Sequence, residues 1–196
     1  VLANLETSNT EYFNGMFALC ENLKKIDVSS FDTKKATDMR AMFYHCKSVT
    51  SLDVSKFVTK NVDSFESMFE KCEQLKYLDV SKFEGTNAIS ISYMFSGCKS
   101  LRSLQFSNFE TKSLKNMLTT FGGCESLTSL ELPKLSTSQV SLFDKVFIKC
   151  KSLEKLDLSN WDTAQSSSFE QTFCNCSSLT SIGISNNFDT SYSKYF

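Results

Sequence analysis

Seven of the chain's eight cysteines stand 26 residues apart: Cys20, Cys46, Cys72, Cys98, Cys124, Cys150 and Cys176. A fixed period of this length is the signature of a repeat array, in which one short unit is copied and stacked. The neighbouring columns agree. Phe17, Phe43, Phe69, Phe95, Phe121, Phe147 and Phe173 each precede a ladder cysteine by three residues. Three residues after the cysteines come Leu23, Val49, Leu75, Leu101, Leu127, Leu153 and Leu179. Six after come Ile26, Leu52, Leu78, Leu104, Leu130, Leu156 and Ile182. Only Cys174 lies off the ladder.

Each unit carries two periodicities. Ile26-Asp27-Val28 and Leu52-Asp53-Val54 place apolar residues on either side of an acid, the pattern of a short strand with one buried face. Ala36, Met39, Met42, Phe43 and Cys46 fall at helical spacing, as do Val62, Phe65, Met68, Phe69 and Cys72. The spacing therefore predicts an α/β repeat: a leucine-rich-repeat-like right-handed solenoid of about 7.5 units, each with one short parallel strand and one short helical segment. The ladder cysteines and Phe43, Phe69 and Phe95 are its expected core. A 26-residue unit buries too few side chains to offset its own ordering entropy, so neighbours must stack.

The chain reads as a single solenoid domain over residues 1–196. VLANLET aligns with the middle of a unit, and Phe196 falls in mid-unit, so a fragment of a longer array, with further repeats or caps, is expected. VLANLETSNT has neither the basic nor the apolar region of a signal peptide. No apolar run is long enough to span a membrane. With 21 basic and 22 acidic residues there is no electrostatic footprint for nucleic acid.

The unit Met42–Ser67, MFYHCKSVTSLDVSKFVTKNVDSFES, resembles the 26-residue repeat of bacterial surface proteins grouped with the BspA-like leucine-rich-repeat proteins. The resemblance covers essentially the whole chain and rests on the recurring Met-Phe-x-x-Cys-x-x-Leu-x-x-Leu-Asp core. It implies a secreted or cell-surface protein of adhesin type, and it names no ligand. The sequence departs from the pattern at Pro133, Gly183, Thr120 and Thr172.

Little in the chain suits catalysis. His45 is the only histidine and is expected in an exposed turn. Gly122-Gly123 reads as turn chemistry and not as a phosphate loop. The cysteine column runs along an axis and does not converge on a metal. Its members fall within disulfide range of one another, yet sit on an apolar face where reduced thiols pack well. Reduced thiols are the expectation; they also leave a cytoplasmic location as the alternative to the cell surface.

The polar columns carry the functional reading. Asp27, Asp53, Asp79, Glu131 and Asp157 stand mid-strand, pointing away from the core, with Gln105 and Gly183 completing the row. Serines 29, 55, 81, 107, 159 and 185 follow two residues later. Calcium suits such oxygens, against the plainer reading of a solvated sheet face with local hydrogen bonds; no metal or cofactor is assigned. Lys56, Lys82 and Lys134 are placed to offset the acids. Thr33, Thr59, Thr111, Thr137, Thr163 and Thr190 form a further column, interrupted by Gly85 and expected to close turns through local hydrogen bonds. The leading expectation is a non-enzymatic cell-surface protein. It would present this sheet face to a protein or glycan on a host cell or matrix through Lys25, Asp27, Asp53, Tyr77, Asp79, Lys155 and Asp157. The alternative is a structural spacer, filament or scaffold repeat with no specific ligand.

Overall fold

The backbone of the segment around Phe43 sets the architecture. In the computed structural model, which describes residues 5–106 and 109–191, its N–H groups alternate between two destinations. Those of Met39, Ala41, Phe43 and His45 donate to Ser64, Glu66, Met68 and Glu70 of the next unit at 2.7–3.3 Å. Those of Met42, Tyr44 and Cys46 donate three residues back, to Met39, Ala41 and Phe43, at 3.0–3.4 Å. Three of these donors close turns and four join units, while the Arg40 N–H goes to the Asp38 carboxylate. An α-helix would keep them all within the segment, four residues back.

The expected helical segment is therefore absent; no helix occurs among the described residues. In its place run consecutive four-residue turns, Met39–Met42 and Phe43–Cys46. Their third residues, Ala41 and His45, have φ of +54° and +57°, the mark of a type II turn. The pair recurs at Ser67 and Lys71, Tyr93 and Gly97, Thr119 and Gly123, Lys145 and Lys149, and Gln171 and Asn175. Two such turns bury their corners and expose their middles, so Met39, Met42, Phe43 and Cys46 point inward. That spacing is identical to one face of a helix. Isolated parallel bridges cross this side from unit to unit, through Tyr12, Asp38, Ser64, Ser90, Asn116, Leu142 and Ser168.

On the opposite side the alternation of buried and exposed residues holds, but strands form in only some units. β1 (Tyr77–Asp79) pairs in parallel with β2 (Ser103–Gln105), and β3 (Lys155–Leu158) pairs with β4 (Ser181–Ile184). Partners are 26 residues apart: Tyr77 with Ser103, Leu156 with Ile182. The strands expected at 26–28, 52–54 and 130–132 do not form, because those residues lack ladder partners, although Ile26, Leu52 and Leu130 are buried.

Identical side chains stack along the core. The rings of Phe17, Phe43, Phe69, Phe95, Phe121, Phe147 and Phe173 lie 5.5–5.7 Å apart and within 8° of parallel. Beside them each ladder thiol from Cys46 onward donates to the carbonyl of the phenylalanine 29 residues earlier, at 3.0–3.3 Å. All eight cysteines are free. Cys46 to Cys150 are buried, but Cys20 and Cys176, expected in the core, are only partly covered, packed against its edge.

The threonine column does more than close local turns. Thr59 Oγ1 donates to the Glu84 carbonyl at 3.1 Å and accepts the Glu84 N–H at 2.7 Å, and Thr33 treats Val58 in the same way. Each hydroxyl ties one unit to the next. Gly85 breaks the column because a Cβ there would lie 2.5 Å from the Phe109 ring. That ring stacks on Phe106 at 4.7 Å, and Phe106 occupies a column held by valine at 28, 54 and 80.

Val1, Leu2, Ser107 and Phe196, used above for the ends and for the serine column, lie outside the described residues.

Candidate partner-binding face

The acids of the strand side first serve the backbone. Asp27, Asp53, Asp79 and Asp157 each accept the N–H of the serine two residues on, at 2.8–3.0 Å. Hydrogen bonds from the serine hydroxyl and then its N–H hold the carboxyls of Asp27, Asp53 and Asp157 below the usual aspartate range. Lys56, placed to offset them, adds its field to Asp27 and Asp53, and its ammonium donates to the Ser29 carbonyl at 3.2 Å.

Where ladder pairing lapses, the face opens into grooves. Between residues 50–55 and β1 lies one of about 400 Å³, which brings together Asp53, Tyr77 and Asp79 with Ser51, Ser55 and Lys76. Tyr77 is 52% exposed, and Asp79 is half-buried. A second, of about 520 Å³, holds Asp157 with Glu131, Pro133, Ser159 and Asn160. Proline has no N–H to offer, so Glu131 lacks the backbone bond that caps the other acids. Lys25, Asp27 and Lys155 are exposed but line neither groove. The candidate residues are thus divided between two grooves and the open face.

Two features escaped the sequence reading. Directly after the ladder cysteines run Glu21, Lys47, Glu73, Lys99, Glu125 and Lys151, alternating in sign. They pair as Glu21–Lys47 at 2.8 Å, Glu73–Lys99 at 3.1 Å and Glu125–Lys151 at 2.7 Å. The signal lies in the column itself, whose sign changes from each unit to the next. The other is His45. Expected in an exposed turn, it is largely enclosed; neither ring nitrogen has a hydrogen-bond partner, and Nδ1 lies 3.8 Å from Glu21. Among the described residues no three His, Cys, Asp or Glu side chains converge as a metal site.

A parallel stack of 26-residue units with a grooved polar face defines a leucine-rich-repeat-like protein. Over residues 1–104 and 89–194 the chain matches the family described as Mycoplasma protein of unknown function, DUF285, and it belongs to that family. This membership agrees with the BspA-like resemblance of its Met-Phe-x-x-Cys core. Among solved structures it is similar to a leucine-rich cell surface protein from Faecalibacterium prausnitzii, at 15% identity and a TM-score of 0.41, over 88% of this chain and 76% of that one. No match to a curated protein sequence was found. No helix among the described residues is long and apolar enough to cross a membrane.

Proposed function

We propose that the chain is a non-enzymatic cell-surface protein, one right-handed solenoid over residues 1–196, whose strand face binds a protein or glycan partner. The observation that carries this reading is the Tyr77 groove. A half-exposed tyrosine lines it together with two carboxylates and two serines, offering an aromatic surface beside hydrogen-bonding groups. Tyrosines so placed anchor protein and sugar contacts. Lys25 and Lys155, at a distance along the face, act on association rate more than on affinity. Tyr77→Ala is expected to weaken adhesion to a host-cell or matrix surface by about 1–2 kcal/mol without changing thermal stability. Replacing Lys112 and Lys115, away from the groove, leaves adhesion intact. Equal binding by wild type and both variants would transfer the assignment to the spacer reading.

That second reading has its own support. Four of the acids are engaged in capping their own turns, as a purely structural face would require. The free cysteines likewise favour the cytoplasmic alternative over an oxidising exterior.

A further inference from the structure

On the turn side, away from the strand face, a cleft of about 350 Å³ is lined by Ala41, Tyr44, Glu66, Ser67, Glu70 and Tyr93. It spans three consecutive units. Ala41, Ser67 and Tyr93 share one column, each at the third position of a turn with positive φ, where the side chain projects outward. Tyr44 and Glu70 share another column. The small Ala41 and Ser67 leave the room that Tyr44 and Tyr93 border, and the two carboxylates belong to the unit between the tyrosines. The units that carry Tyr44 and Tyr93 are separated by two stacking steps, of 5.6 and 5.7 Å at the phenylalanine column. Each tyrosine thus stands one unit away from the carboxylates, and an aromatic face attracts a cation placed within roughly 6 Å of its centroid.

The carboxylates are available. Ser67 Oγ donates to Glu70 Oε2 at 2.7 Å, which holds the side chain in place, and Oε1 accepts no hydrogen bond among the described residues. Neither Glu66 nor Glu70 enters a salt bridge among the described residues. Arg40, whose field reaches Glu66, is engaged by both carboxylate oxygens of Asp38 at 2.6–3.0 Å.

We propose that this cleft binds a primary alkylammonium group between Tyr44 and Tyr93, with Glu66 and Glu70 accepting its N–H bonds. Three ammonium donors meet carboxylate acceptors there, whereas a quaternary ammonium gains the ring faces but no hydrogen bond. A lysine side chain of a partner protein and a free amine share this chemistry. The site is independent of the Tyr77 groove, so either can fail without the other.

The test is a titration of the isotopically labelled 196-residue chain with butylammonium and with Nα-acetyl-lysine methylamide, followed by NMR. Saturable shifts at Tyr44, Ser67 and Tyr93, with a dissociation constant on the order of 1 mM, are expected for both probes; the tighter one tells which source the cleft prefers. Nε-acetylated lysine, which has no charge, and tetramethylammonium should bind at least about 5-fold more weakly. Glu70→Gln and Tyr93→Ala should each weaken binding at least about 5-fold. Tyr93→Phe, which keeps the ring, and Tyr77→Ala should leave it within about 2-fold. Unchanged melting temperatures establish that each variant is folded. Absence of saturable shifts with both primary amines, equal binding of the acetylated probe, or tighter binding of tetramethylammonium would overturn the proposal.

Discussion

Cys98 Sγ donates to the Phe69 carbonyl at 3.1 Å, and the same oxygen accepts the Cys72 N–H at 3.1 Å. One carbonyl thus closes a turn in its own unit and receives a thiol from the next. The arrangement explains why the column is cysteine: a small, largely apolar side chain fits beside the phenylalanine stack and still supplies a donor.

Those thiols are expected to be chemically silent. Burial pushes Cys46 and Cys124 up to about 12, and it raises Cys72 and Cys98 well above the ordinary range. A thiol at about 12 is ionised about 10³-fold less than a free cysteine at neutral pH. Iodoacetamide should label exposed Cys174 first, then Cys20 and Cys176, and reach the five central thiols only on unfolding. Peptide mass spectrometry over a time course checks the order. Early labelling of Cys98, or a disulfide between column cysteines, contradicts it.

The Gly85 and Phe106 departures are expected to compensate one another. The larger ring at 106 stacks with Phe109, and the Phe109 ring occupies the space a side chain at 85 would need. Gly85→Thr alone should destabilise by about 1–3 kcal/mol through overcrowding. Adding Phe106→Val should recover at least about 1 kcal/mol, because Phe109 regains room and the new hydroxyl can hydrogen-bond the next unit. A double-mutant cycle in urea measures this. Strict additivity would mean that the two positions are uncoupled.

Acid should affect the strand face late. The carboxyls of Asp27, Asp53 and Asp157 are lowered in the folded chain by serine hydrogen bonds, from an ordinary 3.8. A lowered group stabilises the fold fully above its unfolded pKa, and that contribution is lost as pH falls through the folded value. The window therefore lies below about pH 3.8. Melting temperature, followed by circular dichroism, should stay level from about pH 7 to 5 and fall below about 4. A fall that is complete above about pH 5 would assign acid sensitivity to other groups.

The fold was legible wherever one side chain was copied. The Phe17 to Phe173 and Cys20 to Cys176 columns stack in the register their spacing predicts, because identical neighbours 26 residues apart can meet only in a parallel array. The turn side was not legible, because inward residues at i, i+3, i+4 and i+7 describe both a helix and two successive turns. What separates them is positive φ at every fourth residue, and Ala41, His45, Ser67 and Tyr93 conceal it behind side chains. Gly97 and Gly123, in the same column as His45, were the visible trace. The outward acids of the strand face were legible from alternation alone. Its grooves were not, because they depend on where ladder pairing stops. The Tyr44–Tyr93 cleft was hidden for a related reason: its lining comes from different columns of three units.

The alternating charges after the cysteines are expected to hold the register of the stack. Along Glu21, Lys47, Glu73, Lys99, Glu125 and Lys151 every charge has opposite neighbours, and Lys47 feels Glu73 in addition to its partner Glu21. Slipping the array by one unit would place like on like, whereas the apolar columns are nearly indifferent to that slip. The ladder therefore discriminates where the core does not. Exposed pairs contribute little each, about 0–1 kcal/mol, and salt screens them over about 10 Å at 0.1 M. Glu73→Lys, which puts three positive charges in a row, should cost roughly 1 kcal/mol at low salt and much less at about 1 M. Combining Glu73→Lys with Lys99→Glu restores the contact between those two positions. It also leaves each reversed charge facing a like one on its other side, at Lys47 and at Glu125, so only part of the loss should be recovered. Reversing all six restores the alternation and should regain wild-type stability. Urea melts of the three variants at about 20 mM and about 1 M salt separate the cases. A cost for Glu73→Lys that salt does not reduce would locate its effect in packing, and the register argument would fail.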